Sequence, residues 1–219
     1  MQGVDWQFAI EILPKLLEAL LVTIKATFIA FGIAAVLGLL LALARRSPSR
    51  WLSWPSSAIV EFFRSTPLLV QLYFLYYVLP KYGFKLPAFV VGMIGLGFYY
   101  ASYTSEVYRA GIEALPRGQW EAARALNLSS LHTWRAIILP QAIPPMIPSL
   151  GNYLIGMFKE TPMLAAITVV EVFQQAKIIT SDTFRALEPY TWVGILFFLL
   201  SYPSSLLVQR LEVHFGSVK

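Results

Sequence analysis

Four windows of this chain carry no formal charge over about the length that crosses a bilayer core of ~30 Å: Ala26–Ala44, Leu86–Ser105, Ala136–Phe158 and Pro189–Gln209. A fifth, around Ser56–Leu79, has the length but includes Glu61 and Arg64. Segments of this kind satisfy their backbone groups in lipid only as helices. The expectation is therefore an all-α membrane protein with about five transmembrane helices. The composition agrees, with 57% hydrophobic and 13% charged residues, against roughly 25% charged in soluble domains.

Five spans put the termini on opposite sides, and Lys/Arg bias sets the direction. Arg45, Arg46 and Arg50 directly follow the first window, whereas Lys15 precedes it among Asp5, Glu11 and Glu18. The N-terminus is then outside and the C-terminus cytoplasmic. The inner segments hold Arg45, Arg46, Arg50, Arg109, Arg117, Arg124, Arg135, Arg210 and Lys219, and the outer ones Lys15, Lys81, Lys85, Lys177 and Arg185. The net charge of +5 reads as this asymmetry and gives no argument for nucleic acid. The opening residues lack a basic n-region and a cleavage site, so the first span is expected to be retained.

There is no cysteine, which removes thiolate metal sites and cysteine nucleophiles, and the two histidines, His132 and His214, stand far apart with no ligand spacing. No metal site and no catalytic residue are expected. The longest stretch between windows is Glu106–Arg135, too short for a separate domain, so residues 1–219 form one transmembrane unit. Pro116 ends the third span. Helix formers fill Gln119–Leu126, Asn127 suits the left-handed residue that closes a helix, and Ser129 or Ser130 caps a second one. That second helix places Leu131, Trp134 and Ile138 on one face, and Leu139-Pro140 leads into the next span. Trp120, Leu126, Leu131 and Trp134 supply an apolar side, which either lies on the membrane surface or docks into a soluble partner. Spacing leaves both readings open.

Two stretches echo each other. "FFRSTPLLV" at Phe62–Val70 and "MFKETPMLA" at Met157–Ala165 share the order Phe, cation, any residue, Thr, Pro, apolar, Leu. Threonine then proline is what a helix start asks for, so each marks a break, with a half-helix from Pro67 or Pro162. Broken helices at membrane depth line cavities or lie buried in protein. Arg64 and Lys159 beside such breaks suit an anionic carboxylate, and Glu61 and Glu160 suit the positive end of a zwitterion. Thr161 caps the second break, and Gln71 is a further polar candidate. Equally, Arg64 pairs with Glu61, or Lys159 with Glu160 or snorkels to the interface. Tyr99, Tyr100 and Tyr103 are either an interfacial belt, the commoner meaning, or cation–π partners. Gly92, Gly95 and Gly97 permit close helix packing, read as an interface between two subunits.

"EAARALNLSSLHTWRAIILPQAIP" resembles the cytoplasmic loop of the membrane subunits of ATP-binding cassette importers, whose pattern is Glu-Ala-Ala, a glycine, then Ile-x-Leu-Pro. Here those positions are Glu121, Ala122, Ala123, Asn127, Ile137, Leu139 and Pro140, with asparagine in place of the glycine. "FFRSTPLLVQLYFLYYVLP" and "YRAGIEALPRGQWEAARAL" look like the polar-amino-acid branch. "LGNYLIGMFKETPMLAAITVVE", with KETPM where many such permeases have Lys-Asn/Asp-Thr-Ser-Leu, looks most like the ectoine and hydroxyectoine type. The resemblance runs from about Leu17 to Glu212.

It implies an importer permease in the bacterial inner membrane, for small polar or zwitterionic solutes such as amino acids. The loop at about 116–139 becomes a coupling helix, with Glu121, Ala122, Ala123, Asn127 and Leu128 facing an ATPase. Implied partners are two ATP-binding subunits, a second permease subunit, identical or paralogous, and an extracytoplasmic solute-binding protein, all in membrane lipid. ATP and magnesium would sit on the ATPase; this chain has no Gly-Lys pair, hence no phosphate loop, and needs no cofactor. Its candidate substrate pathway comprises Glu61, Arg64, Gln71, Tyr100, Tyr103, Lys159, Glu160 and Thr161. The competing reading is an ATP-independent carrier or channel whose loop lies on the membrane.

Overall fold

The computed structural model describes residues 4–216; Lys219 and the first three residues, on which parts of the charge and signal-peptide readings rest, lie outside them. Among the described residues the regular structure is all helical: α1 Trp6–Arg45, α2 Arg50–Ser65, α3 Leu68–Tyr73, α4 Ala88–Glu113, α5 Arg117–Ala125, α6 Ser130–His132, α7 Leu139–Glu160, α8 Val172–Thr183 and α9 Leu187–Gly216. Shorter π and 3-10 turns fill Phe74–Val78, Leu79–Tyr82, Thr133–Ile138 and Thr161–Ile167. Two helices, α1 and α9, are long and apolar enough to cross a membrane alone, and up to four spans result if each of two bent pairs counts as one.

The first window proves to be the last half of a much longer helix. At 40 residues α1 is about 60 Å long, so Glu11, Lys15, Glu18 and Lys25 are helical rather than in a preceding tail. Asp5 caps it, accepting from the backbone N–H of Gln7 and Phe8. The Phe8 amide, then the Arg185 guanidinium, hold the Asp5 carboxyl below the usual carboxylate range. From Thr23 onward the buried stripe of α1 is built from small residues, Thr23, Ala26, Thr27, Ala30, Ala34, Gly38 and Ala42. Small side chains let helix backbones approach where lipid gives no hydrophobic drive between helices. Against this stripe lies α4, with Thr104 Oγ1 donating to the Ala34 carbonyl at 2.8 Å.

The other face of α4 carries the two broken segments. A Cβ on Gly92 would meet Leu164, one on Gly95 would meet Leu72, and one on Gly97 would meet Ile33 of α1. These glycines are therefore filled by neighbours within the same chain, which corrects their reading as a subunit interface.

Ser56–Leu79 is likewise not one straight span: α2 and the helical run after it are bent by 104°. The backbone is extended at Thr66 and Pro67, and α3 starts at Leu68, as the Thr-Pro signal anticipates. The threonine works differently, though. Thr66 Oγ1 donates back to the Phe62 carbonyl at 2.8 Å, closing α2 instead of capping α3. At the second motif α7 ends on Glu160, Thr161 Oγ1 donates to Phe158 O at 2.8 Å, and Pro162 opens a 3-10 segment, not an α-helix. The fresh helix is α8, bent by 48° and capped by the Glu171 carboxylate, which accepts from Phe173 N–H at 3.0 Å and Gln174 N–H at 2.7 Å. The two breaks touch: Tyr76 OH and Thr168 Oγ1 are 3.1 Å apart, and Tyr77 OH donates to Ala166 O at 3.1 Å.

Candidate functional site

Two places collect the residues singled out above: the interior face where α4 meets α7, and the loop between α4 and α7. In the interior, Tyr99, Tyr100 and Tyr103 of α4 and Tyr153 of α7 form one cluster, with ring centroids 5.1–6.1 Å apart. Tyr100 is 5% exposed, so this ring packs inside the chain, with Tyr99, Tyr103 and Tyr153 half-buried around it. A Cβ on Gly156 would stand 3.0 Å from the Tyr100 hydroxyl, so that glycine gives the ring its seat. The Glu160 carboxylate neighbours Tyr100, and its Oε2 is buried without a hydrogen-bond partner among the described residues. A buried carboxylate oxygen with no donor is costly. A cation or a donor on a bound molecule would satisfy that oxygen.

Arg64 closes the other end of the cluster. Its guanidinium lies 5.7 Å from the Tyr103 ring centroid and donates to Glu106 Oε1 at 3.3 Å. The Glu61 pairing is absent among the described residues; the partner is Glu106. That carboxylate also accepts from Arg45 Nη1 at 2.7 Å, and from Arg109 Nε and Nη2 at 3.0 and 2.7 Å. Arg109 reaches on to Glu113 at 2.9 Å. Three arginines from α1, α2 and α4 thus converge on one half-buried carboxylate. Only the spacing of Glu106, Arg109 and Glu113, three and four residues apart on a helix, hinted at this in the sequence. The contribution of Tyr153 had no such signal.

The remaining pathway candidates are placed otherwise. Gln71 is buried, and its amide nitrogen donates to Phe63 O, Thr66 O and Thr66 Oγ1 at 3.0, 3.0 and 2.7 Å. It fastens the first break. Thr161 is buried on its own turn. Glu61 and Lys159 are exposed and make no ion pair among the described residues, so Lys159 is not neutralised by Glu160.

The loop adopts the expected helix–turn–helix. Asn127 has φ 52°, its N–H bonds to Arg124 O at 2.9 Å, and Leu128 N–H bonds to Ala123 O at 3.1 Å; together these make a Schellman closure of α5. Ser129 Oγ caps the next turn by accepting from His132 N–H at 3.3 Å. The aromatic pair turns inward, Trp120 edge-on to Trp134 at 5.3 Å, over Ile112, Ala142 and Met146. Ala123 is buried with them. Leu126 and Leu131 instead remain 71% and 61% exposed, beside exposed Glu121, Ala122 and Asn127. Asn127→Val is expected to cost about 1–2 kcal/mol, because a β-branched residue resists positive φ. Asn127→Gly should be near neutral, and a thermal melt in detergent separates the two.

Residues 34–215 match the family described as binding-protein-dependent transport system inner membrane component. A probable amino-acid ABC transporter permease protein of Sinorhizobium fredii is 48% identical over 207 residues, covering 94% of this chain and 90% of that protein. The nopaline transport system permease protein of Agrobacterium fabrum is 36% identical, covering 95% and 90%. Among solved structures, an amino acid ABC transporter crystallised with histidines matches with TM-score 0.91 at 36% identity, covering 97% of this chain and 100% of that one.

Proposed function

Because the chain belongs to the inner membrane components of binding-protein-dependent transport systems, we propose that it is the permease subunit of an ATP-driven importer of amino acids or similar zwitterions. It is a membrane-embedded transport subunit and not itself an enzyme. The reading takes five spans, with α1, the bent α2–α3 segment, α4, α7 and α9 crossing, and α8 completing a bent path. The N-terminus lies outside and Arg45, Arg46, Arg50 and the α5 loop lie in the cytoplasm. Its partners are two ATP-binding subunits, a second permease subunit and an extracytoplasmic binding protein.

The observation that carries the substrate class is the partnerless buried oxygen of Glu160 at the mouth of the tyrosine cluster. An ammonium, imidazolium or amidinium satisfies that oxygen and meets the tyrosine rings, where cation–π contact adds about 0.5–2 kcal/mol. Lys159, adjacent and unpaired, takes the substrate carboxylate, and Arg64, already shared with Glu106 and Tyr103, lies further along the path. Similarity to a transporter crystallised with histidines, and to permeases named for amino acids and for nopaline, supports this class. Ectoine and hydroxyectoine, whose cation is a delocalised amidinium, are the narrower choice within it.

Coupling to the ATPase uses the exposed patch of Glu121, Ala122, Leu126 and Leu131, held at a fixed angle by Asn127, with Leu128 half-buried behind it and Ala123 anchoring the helix from inside. The test is substrate-stimulated ATP hydrolysis in liposomes holding the chain with its partner subunits and binding protein. Glu121→Lys reverses the charge of that patch and is expected to lower stimulation about tenfold, the loss of roughly 1.4 kcal/mol at an interface anchor. Stimulation and uptake untouched by the change would favour a carrier that runs without ATP.

A further inference from the structure

Where α1 hands over to α2, the chain forms an open cavity of about 660 Å³ lined by Arg45, Arg50, Trp51, Ser53, Trp54 and Ser57. The cavity shares only Arg45 with the Glu106 cluster and lies apart from the tyrosines and the α5 patch. Arg50 makes no ion pair among the described residues, and the Ser53 and Ser57 hydroxyls make no hydrogen bond there. Arg45 gives one guanidinium nitrogen, Nη1, to Glu106 and keeps the rest of its fork. The walls are two indoles left 93% and 75% exposed, Trp51 and Trp54. They stand on a helix whose outward side also shows Leu52, Ile59 and Phe62.

Each half of this arrangement asks for a different chemistry. Exposed tryptophans in a membrane protein sit at headgroup level, where the ring is half in hydrocarbon and the N–H is wet. Unpaired arginine and serine donors at that level ask for an oxyanion, and a guanidinium matches phosphate bidentately. Phe62, about three helical turns from Trp51 on the same face of α2, then lies along the path an acyl chain takes from such a headgroup, with exposed Ile59 beside it. A soluble anion would use the donors and leave this apolar run uncovered.

We propose that the cavity is a binding site for an anionic phospholipid, its phosphate held by Arg50, the free edge of Arg45 and the serine hydroxyls, and its chains laid along α2. The assignment rests on membrane embedding alone and is independent of what the chain transports. Occupancy also places a phosphate against Arg45, the same residue that reaches Glu106, so lipid charge is felt by the arginine cluster.

The full chain is reconstituted in phosphatidylcholine vesicles containing an equal minor fraction of either brominated phosphatidylglycerol or brominated phosphatidylcholine. Tryptophan quenching is compared with that of a Trp51→Phe/Trp54→Phe variant to isolate these two rings. The expected result is an apparent affinity about fivefold higher for the anionic lipid, as one unpaired cation near the surface supplies about 1 kcal/mol, and its disappearance in Arg50→Gln. Lys81→Gln, in the 3-10 turn Leu79–Tyr82 that precedes α4, keeps the preference. Equal quenching by both lipids overturns the site, as does a preference lost equally in Lys81→Gln. Displacement of the brominated lipid by inorganic phosphate overturns the lipid as its source.

Discussion

Glu106→Ala is expected to lower the stability of the folded chain by about 2–3 kcal/mol, read as a fall in the thermal transition in detergent. The carboxylate accepts from Arg45, Arg64 and Arg109, which come from α1, α2 and α4. Its removal leaves three guanidinium groups clustered around an uncompensated space. Removing one partner of a buried pair costs about 3–5 kcal/mol. Here the side chains of Glu106 and Arg45 keep 22% and 16% exposure, so water screens part of that cost and the lower figure applies. Glu106→Gln keeps two acceptor positions on one oxygen but loses the charge, and falls between wild type and alanine. Raised salt narrows all three differences, since the cluster is partly solvated. An alanine variant as stable as wild type at low salt would remove this cluster from the forces that hold α2 onto α1 and α4.

That cluster marks the limit of what the sequence could tell. Local signals were legible because they act through neighbours in the chain. Asn127 closes α5 in the left-handed conformation, Ser129 caps the next turn, and the Thr-Pro pair at Thr66-Pro67 ends one helix and permits another. Contacts between distant segments were not. Arg64 has Glu61 three residues away, and sequence offers that pairing first, yet the bend of 104° at Thr66 turns α2 so that Arg64 reaches Glu106 across 42 positions. Gln71 looked like a ligand for substrate because it is polar in an apolar run. The same bend frees the carbonyls of Phe63 and Thr66, and Gln71 is the side chain that satisfies them. Tyrosines are ambiguous for a related reason: their amphipathic rings suit an interface as well as an interior, and only the packing of α7 against α4 decides it.

The glycines show the same limit, and Gly38 carries the largest effect. Gly38→Val is expected to destabilise the chain by about 3 kcal/mol or more, at the upper end of what overpacking costs in a filled core. A Cβ there would overlap Thr104 Oγ1 and come within 3.0 Å of Ala101 O and 3.1 Å of Ser105 N. The last two are backbone atoms of α4, so no side-chain rotation relieves them. Thr104 is itself tied down by bonds to Ala34 O and Ala101 O. The helices must therefore part along the Ala26–Ala30–Ala34–Gly38–Ala42 stripe, which is where α1 meets the element that carries the tyrosines and Glu106. Gly32, six residues earlier, has nothing within 4 Å of its would-be Cβ. Gly32→Ala should then gain roughly 0.5–1 kcal/mol from helix propensity alone. Opposite signs at two glycines of one helix, measured by the same unfolding assay, separate packing from propensity. Thr104→Ala removes one of the clashing atoms but not the backbone ones. In combination with Gly38→Ala it is expected to recover part of the loss and no more, a non-additivity that locates the strain between α1 and α4. Full recovery would mean that Thr104 alone sets the helix separation.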